Sequence, residues 1–246
     1  MQNNPSVVES HYETLLAARY TWMMGGPERC LQNARELMDF ARVAAPASGK
    51  ALDLGCGGGY HAKALTERGL EVIAVDNSPV LLDELRAVCA GLRVNPVLGD
   101  LSPVTQYAAH GLFSLVVCVG DTLTHLSSRD AVQQLIRESR KLLAPGGALL
   151  LEFREQLKDL PAQDCVLTTR AERDCIMQCV LHYETDRVWV TDVVHDWDGG
   201  VWHTIKSTYP KLRFSGEQLA SYAASEDFRV EIDGIRAGRR VLLLRT

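Results

Sequence analysis

Positive charge is in short supply in this 246-residue chain. Its 26 Lys and Arg stand against 31 Asp and Glu, a net charge of −5. A surface that holds nucleic-acid phosphates needs clustered Lys and Arg, so nucleic acid is not an expected partner. The one basic crowd, Arg236, Arg239, Arg240 and Arg245, reads as the solvated face of a terminal strand pair. Long apolar runs are missing as well: none nears the roughly 20 residues that span a bilayer. The opening MQNNPSVVES has neither the basic start nor the apolar stretch of a secretory signal. The seven cysteines are an odd number without framework spacing, which argues against a disulfide scaffold and for a reducing cytoplasm. Cys175, Cys179 and His182 lack a second C-x-x-C. On a strand the two cysteines would share one face and His182 the other, so no metal is expected. Repeats, low-complexity segments and long linkers are also absent.

What is present is an alternation. Residues 7–24 carry Val8, Tyr12, Leu15, Leu16, Arg19 and Met23 at helical steps of three and four. GGP at 25–27 breaks that helix and starts another, which APASG at 45–49 ends. From residue 50, strands (KALDL, EVIAV, RVNPVL, FSLVVCV, ALLLEF) take turns with amphipathic helices. That pattern predicts a doubly wound, mostly parallel sheet covered on both faces. After residue 160 four strand-like stretches follow one another with turns at ETD and DGG, then a helix and two final strands. The expected organisation is one domain: an N-terminal helical lid or cap (1–45), a cofactor-binding core (50–155), a β-rich insertion (160–210) and a closing helix and strand pair (212–246).

The chemistry centres on ALDLGCGGGYHAKAL, residues 51–65. Gly57, Gly59 and Ala62 satisfy G-x-G-x-x-A, with Asp76 after the next strand, which fits a dinucleotide site and an NAD-type dehydrogenase. A second register, Asp53-x-Gly55-x-Gly57-x-Gly59, uses more residues. An acid at a strand end facing a helix N-terminus would repel a pyrophosphate and attract an ammonium. S-adenosylmethionine has an ammonium, a sulfonium and no phosphate. Asp76 can accept from both ribose hydroxyls. Asp100, ending the third strand, can accept from the adenine amino group, with the Leu101 N–H beside it.

With LDLGCGGGYHAKAL, VIAVDNSP, LGD, FSLVVCVGDTLTHL and KLLAPGGALLLEF, the chain resembles the class I S-adenosylmethionine-dependent methyltransferases over about 50–155 and 212–245. CVGDTLTHL is also similar to the fourth-strand region of glycine-type small-molecule N-methyltransferases. The resemblance implies a Rossmann-like seven-stranded sheet with its last strand antiparallel, and methyl transfer to a small molecule. It also implies a cofactor flanked by Cys118 and Gly120 and, under the N-terminal helix, by Tyr20 and Trp22. A cofactor-binding subunit without activity is the non-enzymatic alternative.

Ligands of open α/β sheets sit beyond the carboxyl ends of the strands, which here carry GDTLTHL and FRE. His125 is the expected base, because its ordinary pKa lies near neutrality. Asp121 is placed to orient it or to hold substrate, with Thr122 beside them. Arg154, after the fifth strand, can clamp a carboxylate, and Tyr209, Lys211 and Arg213 in YPKLRF share one face of an extended stretch and add an anion-binding wall. These residues favour an acceptor that bears a carboxylate. The insertion is expected to complete the acceptor pocket or to make a homodimer contact.

Overall fold

Short β-branched and leucine-rich runs become strands here because both of their faces are covered. A computed structural model of the chain describes residues 6–43, 49–156 and 163–246; residues 45–48 of the expected helix end lie outside them. Val7–His11 (α1) and Tyr20–Met23 (α2) flank a π turn at Tyr12–Leu16 and a 3-10 turn at Ala17–Arg19. Gly26 then caps Pro27–Phe40 (α3), whose first residue is the proline that the sequence marked as a helix start. The alternation follows as β1 (Lys50–Leu54), α4 (Tyr60–Glu67), β2 (Glu71–Asp76), α5 (Pro79–Val88), β3 (Val94–Leu98), β4 (Phe113–Cys118), α6 (Arg129–Leu142) and β5 (Leu143–Phe153). Ser78 caps α5 through its side chain, and Pro79 follows at the first helical position.

Four antiparallel strands come next: β6 (Cys165–Ala171), β7 (Cys175–Tyr183), β8 (Arg187–Trp197) and β9 (Trp202–Leu212). Helix α7 (Gly216–Ser225) leads to β10 (Arg229–Arg236) and β11 (Arg239–Arg245). The large sheet runs β10-β11-β5-β4-β1-β2-β3. Only β11 is antiparallel to its neighbours, β5 and β10. This is the expected Rossmann-like methyltransferase architecture. One sheet face packs Leu52, Leu54, Val116 and Leu149 with α6 and α7; the other packs Ala51, Val72, Val117 and Leu150 with α3, α4 and α5. The strand tips of β1 to β5 therefore open along one edge.

The small sheet does something the sequence did not suggest. None of its residues reaches the cavity above those tips. Instead Met177 and Val194 pack on Leu15 and Leu16 of the N-terminal segment, burial that contributes about 1.5–3 kcal/mol per leucine. His11 Nε2 lies 3.1 Å from Asp192 Oδ2, both buried, and Arg19 pairs with Asp196 at 2.6 Å. The insertion is a backing plate for the N-terminal helices. Its strands β6 to β9 do not line this cavity.

Candidate active site

Beyond the strand tips lies a cavity of about 450 Å³. Its floor is the β1–α4 loop (Gly55 to Gly58), Asp76 and Asn77 after β2, Gly99 to Ser102 after β3, and Val119, Gly120, Thr122 and His125 after β4. Val8, Glu9, Tyr12, Tyr20 and Met24 form its roof. The π turn explains why Tyr12 and Tyr20 face the cavity while Leu15 and Leu16 face the small sheet: the extra residue rotates one helical stripe against the next.

The loop glycines answer to different demands. A Cβ on Gly55 would stand 2.3 Å from Thr122 Cγ2, so packing alone forbids a side chain there. At Gly57 (φ +53°) a Cβ would meet nothing within 4 Å. Its missing side chain leaves room on the cavity side, the place where a ligand approaches the backbone.

Acids surround this room. Asp76 accepts from the backbone N–H groups of Gly57 and Ser78, both at 2.9 Å, which anchors the carboxylate and leaves lone pairs for a ligand. Burial still raises its pKa. Asp100 and Glu9 also line the cavity, with Glu9 held 3.2 Å from Asn77 Nδ2. Glu152 lies at the other end with Arg236 and Arg239. Asp53 differs from the expectation of direct contact. It is 0% exposed, lies beneath the loop rather than on the cavity, and neither oxygen has a hydrogen-bond partner. Burial, with Asp76 nearby, lifts its pKa to about 7. A negative floor of this kind suits a cation and opposes a pyrophosphate.

The comparisons with known proteins agree with that chemistry. A family described as "Methyltransferase domain" matches residues 51–147. A ubiquinone biosynthesis O-methyltransferase of Xanthomonas campestris pv. campestris (strain B100) is 32% identical over 186 residues, covering 70% of this chain and 73% of its own. The chain is a class I S-adenosylmethionine-dependent methyltransferase. Across the first such relatives it spans 64–73% of their length. Among solved structures, the CcbJ methyltransferase from Streptomyces caelestis superposes with a TM-score of 0.75 at 21% identity, covering 96% of this chain and 95% of that one. CalS10, an amino pentose methyltransferase from Micromonospora echinaspora, gives 0.70 at 18% identity, covering 100% and 98%. The dehydrogenase reading of the glycine loop falls with this membership.

In this methyltransferase the residues after β4 sit differently from the sequence expectation. His125 ends a 3-10 turn and lines the cavity, with Nε2 3.5 Å from the Tyr12 hydroxyl and its ring stacked on Tyr209 at 5.5 Å. Burial first, and Lys211 and His11 after it, outweigh Asp121 and push its pKa down to about 3. The premise that this ring titrates near neutrality does not hold here: it is a neutral imidazole. Asp121 is buried off the cavity in the left-handed region (φ 74°). It accepts from the Arg154 backbone N–H at 2.7 Å and from Lys211 Nζ at 3.3 Å. Burial works against its charge, but Lys211, Arg239 and Arg154 prevail and hold its pKa at about 2. Asp121 is thus a strut that joins the ends of β4, β5 and β9.

The expected anion wall does not face the cavity. Lys211 is spent on Asp121, Tyr209 is sandwiched between His11 (4.1 Å) and His125, and the Arg154 side chain is 55% exposed to solvent. Trp22 packs with the small-sheet cluster, the Arg170 guanidinium 5.5 Å over its ring, and Cys118 is wholly buried in the sheet. Neither lines the cavity, whereas Tyr20 does. Thr122 faces the glycine loop. The arginines read as a solvated face prove otherwise in two cases: Arg236 and Arg239 line the cavity with side chains 12% and 13% exposed. His61 and Asn33, which the sequence did not single out, join them there. Among the described residues no His, Cys, Asp and Glu cluster could hold a metal, and no helix is long and apolar enough to cross a membrane.

Proposed function

We propose that this methyltransferase acts on a small molecule and that its acceptor is a neutral amine nitrogen. When bound, S-adenosylmethionine supplies a sulfonium methyl that an incoming lone pair displaces in line. In this reading Asp76 holds the ribose hydroxyls, Asp100 and the Leu101 N–H hold the adenine edge, and Gly57 and Gly120 let the backbone pass close to the amino-acid part. Asp53 acts through the loop above it, adding negative potential under the ammonium. Tyr12 and Tyr20 cover the reacting end and keep water out, which is most of what an in-line displacement asks of a protein.

One observation carries the choice of nitrogen. The two titratable groups expected to move a proton, His125 and Asp121, have pKa values pushed to about 3 and about 2. Neither can take the proton of a phenol efficiently, since a useful base has a pKa near the working pH. A free amine needs no base before it attacks. Against this, the name of the 32%-identical Xanthomonas relative speaks for oxygen. The test is methyl transfer to a panel of small amines and phenols across pH. Amine turnover whose rate follows the substrate's own ionisation supports the reading. Turnover of phenols alone, lost with His125→Gln, replaces it with O-methylation.

A further inference from the structure

The hairpin between the last two strands brings two arginines to one place. Ala237 and Gly238 both have positive φ (47° and 74°), the geometry of a tight two-residue turn, and Arg236 and Arg239 are paired across it. Like charges directly opposite destabilise a strand pair unless an anion lies between them. Glu152 of β5 is that anion: one oxygen lies 3.4 Å from Arg236 and the other 3.4 Å from Arg239. It is itself fixed by the Gly120 N–H, 3.3 Å from Oε2, beside the loop after β4.

Glu152 is shared between the two guanidinium groups, and the two arginines are not equally engaged. Arg236 Nη2 also donates to the Asn33 carbonyl, Asn33 Oδ1 and Glu36, at 2.9–3.0 Å. Among the described residues Arg239 has Glu152 as its single hydrogen-bond partner, through Nη1 alone. Arg239 lines the cavity. Burial and these two arginines also lower the pKa of neighbouring His61 to about 4, so it brings no further charge. The hairpin stands at the opposite end from Asp100: β11 is five strand positions from β3, about 24 Å at ordinary strand spacing.

We infer that Arg239, braced by Glu152, is a carboxylate-binding site at the end of the cavity away from the adenine pocket. The inference rests on the reading of this cavity as the nucleoside and acceptor site. A guanidinium fork matches a carboxylate with two parallel hydrogen bonds. Two ligands of a methyltransferase can present that group: the amino-acid tail of the cofactor, or the acceptor itself. The carboxylate preference assigned from the sequence to Arg154 and Lys211 then belongs to the hairpin instead.

Calorimetry on the full chain, wild type against Arg239→Met and Arg239→Lys, tests this with three probes. S-adenosylhomocysteine carries the amino-acid carboxylate, 5′-methylthioadenosine is the same nucleoside without it, and acetate is titrated into the protein loaded with S-adenosylhomocysteine. If the site takes the cofactor's carboxylate, Arg239→Met weakens S-adenosylhomocysteine roughly 10- to 100-fold, Arg239→Lys weakens it less, and methylthioadenosine binds as before. If it takes the acceptor's, both nucleosides bind as in wild type, while saturable acetate binding is present in wild type and lost in Arg239→Met. Equal weakening of both nucleosides would mark Arg239 as structural and overturn the inference. So would unchanged nucleoside binding with no acetate response, or with one that the substitution leaves intact. Failure of wild type to bind S-adenosylhomocysteine would bring down the reading of the cavity, and this inference with it.

Discussion

His11 Nε2 lies 3.1 Å from Asp192 Oδ2 with both side chains buried, and this contact fastens the helix that roofs the cavity to the sheet inserted before α7. Removing one member leaves the other buried without its partner. Asp192→Ala is expected to cost about 2–4 kcal/mol of stability and to weaken S-adenosylhomocysteine, because Tyr12 and Tyr20 are carried on the loosened segment. Thermal unfolding and calorimetry measure the two effects. A variant that melts early yet binds normally would show that the roof does not depend on this tie.

Asp53 makes stability and cofactor affinity pull in opposite directions. Its folded pKa of about 7 lies above the ordinary 3.8, so the folded chain holds this proton more tightly than the unfolded chain. The stability that results is complete below about pH 4 and is lost as pH rises through about 7. Asp53→Asn, which cannot ionise, should therefore gain more over wild type at pH 8 than at pH 5, by on the order of a few kcal/mol at the alkaline end. The same change should weaken S-adenosylhomocysteine roughly 10-fold by removing negative potential under its ammonium. Denaturant melts at the two pH values decide the first point, and an equal gain at both would show that the carboxyl is not strained by burial.

The Gly55 and Gly57 substitutions should separate packing from binding. Gly55→Ala forces a methyl to 2.3 Å from Thr122 Cγ2 in a left-handed backbone, and is expected to cost about 2–3 kcal/mol. Thr122→Ala in the same chain should restore part of it. Gly57→Ala meets no protein atom and should cost only about 1 kcal/mol of backbone strain, yet lose more cofactor affinity than stability. If the Thr122→Ala change rescued nothing, the contact between the two loops would not be what excludes a side chain at residue 55.

His125 is expected to be a wall rather than a proton acceptor. General-base catalysis is worth roughly 10²- to 10⁴-fold; His125→Gln should stay within about 10-fold of wild type in kcat/KM on an amine acceptor, with an unchanged pH profile. Steady-state kinetics against pH give the answer. A new pH dependence, or a loss of the full general-base size, would restore the imidazole to proton transfer.

Much of the cofactor end was legible from the chain because its signals are local. The glycines at 55–59 and Asp76 are set within one strand–loop–helix–strand unit, where strand period and helix capping fix who stands at the tip, while Asp53 ends up beneath the loop. Asp76 and Asp100 line the cavity as their positions after β2 and β3 imply. Tyr20 and Trp22 were two residues apart on an expected regular helix. Two residues are about 200° of a helix, so the first lines the cavity while the second packs against the small-sheet cluster.

The pairings of Arg154, Lys211, Arg236 and Arg239 were not legible, and the reason is contact between distant segments. Arg154 and Lys211 looked free in the sequence, but the end of β5 and the end of β9 meet beside the turn after β4 and bring both to Asp121. Arg236 and Arg239 looked like solvent-facing charges. The antiparallel pairing of β11 with β5, Val241 against Glu152, turns them onto a buried carboxylate at the cavity rim. By itself the sequence determined the doubly wound sheet and the acids at its strand tips, since short-range periodicity and turn chemistry suffice for those. Which charges pair with each other was decided only by the tertiary structure, because electrostatic energy depends on distances between side chains that lie up to two hundred residues apart in the chain.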